Sequence, residues 1–280
     1  MTGRSYHPQP HHPVGILDSG LGGLSVFGEV SEQLPHENLL YFADTVHCPY
    51  GDRSLGEVRR LTEGIVRFLL SEQAKILVIA SNTLSAGALH PLRDRFPGVP
   101  FVGMEPALKP AVEGTKTGVV GIVATSATFQ GVLFASLVDR FNSRATVLTQ
   151  PCPGLVEKVE AGQWSDPDTE SLVRSYVAPL LAQNMDTLVL GCTHYPFLRR
   201  AFEKAAGKDV QIIDPAPAVA RQAGRILAER GLLSGSPGPG EATFFTSGDG
   251  ETFDGLQQRL TQHSGAVRGV RWSGETILPL

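Results

Sequence analysis

A chain of 280 residues, 41% hydrophobic and 19% charged, is long enough for one large domain or two of ordinary size, each with a real core. Its net charge of −4, with no long Lys/Arg cluster, argues against a nucleic-acid partner, and no apolar run reaches membrane-spanning length. Three scattered cysteines, Cys48, Cys152 and Cys192, are too few for a disulfide framework or a structural zinc site and suit a reducing, cytosolic setting.

Residues 1–13 carry His7, His11, His12 and three prolines but no apolar core, so they read as a disordered lead-in rather than a signal peptide. The apolar run 14–17 predicts a strand ending at Asp18-Ser19-Gly20. A glycine-rich turn follows, and Leu24, Phe27, Val30 and Leu34 recur at helical spacing. A second strand at 39–42 leads to a loop with Pro49-Tyr50-Gly51. Ser54 and Glu57 form a capping box for a helix that buries Val58, Leu61, Ile65, Phe68 and Leu69. Strands are predicted at 76–79, closed by Ala80-Ser81-Asn82-Thr83, at 101–104, and at 117–123, closed by a turn with Thr125 and Thr128. The helix after that turn buries Leu133, Leu137 and Val138. Strand 146–148 leads to Cys152-Pro153. A helix with Leu172, Tyr176 and Leu180, kinked by Pro179, precedes strand 187–190 and the string Gly191-Cys192-Thr193-His194-Tyr195-Pro196, with a new helix from about Phe197. Strand 210–213 precedes a helix with Val219, Ala223, Ile226 and Leu227. Residues 234–240 have linker composition, and strands at 244–246 and 267–272 flank a helical pattern of Phe253, Leu256 and Leu260. Strand and helix alternate throughout, which is the α/β pattern with mostly parallel sheets.

Cys192 and His194 stand where a strand hands over to a helix, the end of an α/β sheet where ligands bind. A lone cysteine is ordinarily a buried small hydrophobe; a histidine two residues on, at a strand end, favours the reactive reading. The chain also echoes itself. Residues 75–83 resemble 186–194, offset by 111 positions, and 15–19 resemble 121–125, offset by 106. The echo predicts two α/β halves related by a pseudo-two-fold, with Ser81 and Cys192 facing each other across a cleft. Opposed groups on one small ligand suit a reaction that removes a proton from one side and returns one to the other. Ser19, Asn82, Thr83, Thr125, Thr128 and Thr193 sit at strand ends. Each alone reads as a helix cap, and as a set they suit the binding of carboxylates. Asp18 reads equally as a capping carboxylate or as an acid/base auxiliary.

These residues resemble the cofactor-independent Asp/Glu racemase superfamily and, within it, the bacterial glutamate racemases. The matching stretches are Asp18 to Leu24, Asp44 through Pro49-Tyr50-Gly51, Ala80-Ser81-Asn82-Thr83, Thr125 with Thr128, Glu160 in Val159-Glu160-Ala161-Gly162, Gly191 to Pro196, and Thr246-Ser247-Gly248 in the tail. The resemblance implies two α/β domains, 14–105 with 216–280 and 106–215, and an active site between them. It implies two-base interconversion of L- and D-glutamate with neither pyridoxal phosphate nor metal. It makes Cys192 the base for L-glutamate, His194 its helper, Asp18 an auxiliary on the opposite side and Glu160 the acidic residue on the Cys192 side. It assigns substrate binding to Asp18, Ser19, Pro49, Tyr50, Gly51, Asn82, Thr83, Thr125, Thr128, Thr193 and His194. It further implies a cytoplasmic homodimer that supplies D-glutamate for peptidoglycan.

One position departs from the family. Where the family carries Cys-Asn-Thr, this chain reads Ser81-Asn82-Thr83. A thiol titrates at about 8.5 and an alcohol far higher, so Ser81 is a poor base. The expectation is a chain that binds glutamate but is severely impaired in racemisation. Three alternatives stand beside it: a single-thiol decarboxylase of the superfamily, an aspartate-type racemase, and a non-catalytic glutamate-binding paralogue. A dinucleotide site on Gly20-x-Gly22 lacks its third glycine, since position 25 is Ser. Cys48, beside the ligand loop, is either a bland loop cysteine or a substitute thiol, and Cys152 reads as structural.

Overall fold

The structure, a computed structural model, describes residues 6–280 apart from 52, 131 and 142. Its strands are β1 Val14–Asp18, β2 Leu39–Ala43, β3 Ile76–Ile79, β4 Phe101–Val102, β5 Val119–Ala124, β6 Thr146–Pro151, β7 Thr187–Leu190, β8 Gln211–Ile213, β9 Ala242–Thr246, β10 Ala266–Ser273 and β11 Thr276–Pro279. The helices are α1 Leu24–Gln33, α2 Leu55–Ser71, α3 Asn82–Arg95, α4 Leu108–Gly114, α5 Ser126–Gln130, α6 Val132–Asp139, α7 Leu155–Glu160, α8 Pro167–Leu181, α9 Arg199–Ala206, α10 Ala216–Glu229 and α11 Gly250–Thr261. The expected core position Leu133 lies outside the described side chains. No helix among the described residues is long and apolar enough to cross a membrane.

The strands form two sheets. One has seven strands in the order β11-β10-β9-β2-β1-β3-β4, and the other has four in the order β6-β5-β7-β8. All neighbours pair in parallel except β10 with β11. The segment β2-β1-β3-β4 and the whole of β6-β5-β7-β8 therefore share one strand order. The internal echo is the trace of that repeat: β1 answers β5 and β3 answers β7. Every residue of β1, β2, β3 and β7 is buried, as strands covered by helices on both faces must be.

Packing follows from this layering. On one face of the larger sheet, α1 and α10 cover Val14, Ile16, Tyr41 and Phe244; on the other, α2 and α3 cover Leu17, Phe42, Leu77 and Phe245. Each fully buried side chain of this size contributes about 1.5–3 kcal/mol. The capping box of α2 is formed, with Glu57 N–H donating to Ser54 Oγ. Helix α8 runs through Pro179 and ends at Leu181, so the proline lies in the last turn rather than bending the middle.

Two expectations are corrected. Residues 6–13 lie along the surface tied by hydrogen bonds rather than disordered, while residues 1–5 lie outside the described residues. The Tyr6 hydroxyl donates to the Lys75 carbonyl, Lys75 N–H donates to the Pro13 carbonyl, and the Lys75 ammonium donates to the Pro10 carbonyl. The physical reason is Lys75 itself. It is fully buried beside Glu37 (Nζ–Oε2 2.5 Å), and a buried ammonium needs more acceptors than one carboxylate offers. Proline-rich chain has unused carbonyls to give. The second correction is at the end of the chain, where β11 was not foreseen. It forms a hairpin with β10 around Gly274, whose φ is +63°, at the first position of a two-residue turn.

Candidate active site

A cavity of about 140 Å³ opens between the carboxyl ends of the two sheets. This is amino-acid scale, well below the several hundred Å³ of sites for larger ligands. Its wall includes Asp18 and Ser19 after β1, Pro49 to Gly51 in the β2–α2 loop, Ser81 to Thr83 after β3, Thr125 and Thr128 after β5, and Gly191 to His194 after β7. The two halves meet there directly. Asn82 Nδ2 donates to the Gly191 carbonyl (2.8 Å), and Ser25 Oγ donates to the Thr193 carbonyl (3.0 Å).

Ser81 and Cys192 occupy equivalent places, one after β3 and one after β7, and both are over 90% buried. Their surroundings differ. Ser81 is the N-cap of α3 and its hydroxyl accepts from Leu84 N–H at 3.4 Å. Cys192 does not start an α-helix. It is followed by a 3₁₀ turn, Tyr195–Leu198, and α9 begins only at Arg199. The helix expected from about Phe197 thus begins as this 3₁₀ turn at Tyr195, with Pro196 in its first positions, and becomes α-helical at Arg199.

What faces Cys192 instead is His194. Its Nδ1 lies 3.7 Å from the Cys192 sulfur, and its Nε2 is 2.6 Å from Glu160 Oε1. Burial pulls this imidazole down, but the hydrogen bonds to Cys192 and Glu160 outweigh it and hold the ring well above its usual pKa. These contacts favour the protonated ring, in which Nδ1–H faces the sulfur. Glu160 also accepts from Leu21 N–H (2.7 Å) and stands behind His194 rather than in the cavity wall, so it orients the ring from the second layer.

Asp18 is 1% exposed. Its Oδ2 accepts from Gly23 N–H at 2.6 Å, and burial raises its pKa to about 6 despite the nearby His194. Its Oδ1 and the Oδ1 of Asn82 are buried without a hydrogen-bond partner among the described residues. Two such acceptors in one cavity wall call for a donor-bearing ligand, an ammonium above all. The glycines of the first turn bring the halves together. A Cβ at Gly22 would lie 2.4 Å from His194 Nδ1, and one at Gly20 would lie 2.2 Å from Glu160 Oε1. Their role is close approach to the His194–Glu160 pair, not the cradling of a pyrophosphate.

Tyr50 is fixed from behind by Asp44, which is fully buried. Asp44 Oδ2 accepts from the Tyr50 hydroxyl and Oδ1 from Ser247 Oγ (2.7 Å) and Trp272 Nε1 (2.8 Å), while His47 Nδ1 lies 3.0 Å from Oδ2. The tail of the chain thus shapes the ligand loop. Cys48, joined to Pro49 by a cis peptide bond, lies outside the cavity wall, and burial with the charges of Glu160 and Asp18 pushes its thiol well up. Cys152, read from the sequence as structural, does line the cavity, with Ser126, Pro153, Gly154, Val156 and Glu157. Apart from Ser126, which follows β5, these wall residues were missed because β6 extends to Pro151 and delivers them; the sequence signal was the Pro-Gly pair after a strand.

The model of the Asp/Glu/hydantoin racemase family matches residues 22–223. The chain belongs to that family. This member is 48% identical over 256 residues to glutamate racemase of Pseudomonas entomophila, covering 91% of this chain and 96% of that one. Among solved structures it resembles a glutamate racemase isoform from Bacillus anthracis, with a TM-score of 0.86 and 33% identity over 96% of this chain and 100% of that one. It also resembles glutamate racemase from Francisella tularensis solved with D-glutamate, with a TM-score of 0.81 and 27% identity over 92% of this chain and 97% of that one.

Proposed function

We propose that this family member is a glutamate racemase whose cavity binds L- and D-glutamate and whose chemistry is one-sided because Ser81 replaces one of two thiols. The observation that carries the reading is the pair itself: Ser81 and Cys192 end equivalent strands of two sheets with one strand order, and both line a cavity of amino-acid size. Asp18 and Asn82 offer acceptors for the α-ammonium. The hydroxyls of Ser19, Thr83, Thr125, Thr128 and Thr193 and the backbone at Tyr50-Gly51 line the same cavity, and on this reading they receive the carboxylates. The Cys192 thiolate removes the α-proton of L-glutamate, and the His194 imidazolium stabilises the negative charge beside it. Racemisation then needs a proton delivered to the opposite face. A serine hydroxyl, a far weaker acid and a far weaker base than a thiol, does this poorly.

The units 14–105 with 216–280 and 106–215 act as the two jaws of the site. By its likeness to the glutamate racemases, the chain works as a cytoplasmic homodimer and supplies D-glutamate for peptidoglycan.

The test is α-proton exchange in heavy water, followed by NMR from each enantiomer separately. Exchange from L-glutamate, little from D-glutamate and slow racemisation are expected. Ser81→Cys should raise racemisation by about 10²–10⁴-fold, the usual contribution of a positioned acid/base. No gain in Ser81→Cys would sink the two-base assignment. Binding of glutamate with no exchange from either enantiomer would make the chain a binding protein.

A further inference from the structure

Behind the cavity, on the side of His194 away from Cys192, three potential metal ligands converge. Cys48 Sγ, Glu160 Oε1 and His194 Nε2 all lie within 4.8 Å of one another. They come from three separate segments: the β2–α2 loop, the end of α7 and the turn after β7. We propose that this cluster binds a borderline divalent cation, Zn²⁺ in chemical class, and that the bound cation switches the site off.

Four observations support it. First, a thiol, an imidazole and a carboxylate are the donors Zn²⁺ selects, and three protein ligands plus water is a common zinc set. Second, bond lengths of about 2.0–2.3 Å in a tetrahedral site put ligand atoms roughly 3.5 Å apart. The cluster reaches that spacing with small side-chain shifts, because His194 Nε2 and Glu160 Oε1 now share a proton at 2.6 Å and need only part slightly. Third, the ground between the ligands is kept clear by Gly20. A Cβ there would lie 2.2 Å from Glu160 Oε1 and 3.0 Å from Cys48 Sγ, so no other residue leaves the room. Fourth, Cys48 and Glu160 are partly exposed, which gives an entry path, while the far ring nitrogen of His194 is held by Cys192 as a metal-bound histidine needs.

The balance is simple. The cation enters, the Cys48 thiol proton and the Nε2 proton of His194 leave to solvent, and three coordinate bonds replace the shared proton; no electron moves. Two consequences follow. Nε2 of His194 becomes a metal ligand, so the ring can no longer carry a proton on both nitrogens beside Cys192. Cys48 from the first half is tied to Glu160 and His194 from the second, so the jaws are clamped.

Cobalt(II) is the test cation, because a thiolate-to-cobalt charge-transfer band reports a Cys ligand independently of any activity. Titration of the full chain should give that band at one cobalt per chain, displaced by Zn²⁺. Cys48→Val and Cys48→Ser should each abolish the band and weaken Zn²⁺ binding by at least tenfold, while Cys192→Ser keeps the band. Zn²⁺ should also suppress α-proton exchange in the unmodified chain but not in Cys48→Ser. A band that survives in a folded Cys48 variant, or one lost in Cys192→Ser instead, overturns the proposal. So does cobalt binding without any thiolate band, which would place the metal on the His11–His12 segment. Spectra of this kind do not depend on which amino acid the cavity takes, so failure here leaves the racemase reading standing.

Discussion

Asp18 is a carboxylate held where a carboxylate is costly. Its pKa is raised by burial to about 6 from an ordinary value near 3.8. The sign follows: the folded state holds this proton more tightly than the unfolded one, so the associated stability is fully present below about pH 4 and is lost as pH rises through about 6. The shift is worth up to about 3 kcal/mol. Asp18→Asn should therefore gain on the unmodified chain by that order between pH 4 and pH 7, as urea denaturation at each pH would show, while losing α-proton exchange. A second residue-scale expectation concerns Gly22. Gly22→Ala puts a methyl 2.4 Å from His194 Nδ1, and should cost about 1–3 kcal/mol in denaturation and lower exchange at least tenfold. At this scale the sequence was informative where a side chain reaches the cavity by itself. Asp18, Ser19, Asn82, Thr83 and Thr193 follow strands whose apolar runs are unmistakable, and all of them line the wall. Glu160, which the resemblance implied for the Cys192 side, reaches that side through His194 from behind the wall, a layering that a sequence motif does not show.

Among the elements, two buried carboxylates join distant parts of the chain. Glu37 holds the Lys75 ammonium and also accepts from Ser234 N–H (2.8 Å), while Lys75 holds the proline-rich segment. Lys75→Met should cost about 3–5 kcal/mol because it strands the Glu37 charge, and Lys75→Met with Glu37→Leu should recover much of that loss in the same denaturation experiment. Asp44 draws two of its donors from the chain's tail. Trp272→Phe removes one of them and should cost about 1–3 kcal/mol. Neither tie was legible in the sequence, since the partners lie as much as 228 positions apart. Elements were legible in proportion to length and double burial. The strands β1, β3 and β7 and the long helix α2 stood out. Helices α4 and α7, at seven and six residues, are too short to show a period. Strand β11 has three of its four residues exposed and so lacks an apolar run.

Across the whole molecule, the repeat of one strand order was foreshadowed by an echo of only a few residues, which lie in the strands β1, β3, β5 and β7 and the turns that follow them. The last consequence concerns the order in which the chain is made. The four strands of the smaller sheet are contiguous in sequence, from Val119 to Ile213, and that sheet can close as soon as they emerge from the ribosome. The larger sheet cannot. Its β9, β10 and β11 lie between Ala242 and Pro279, beside a β2 synthesised some two hundred residues earlier. Until they arrive, β2 is an open edge and Asp44 lacks two of its donors. The half made first is thus finished last, and the hold of Asp44 on Tyr50 at the cavity is complete only when the tail arrives.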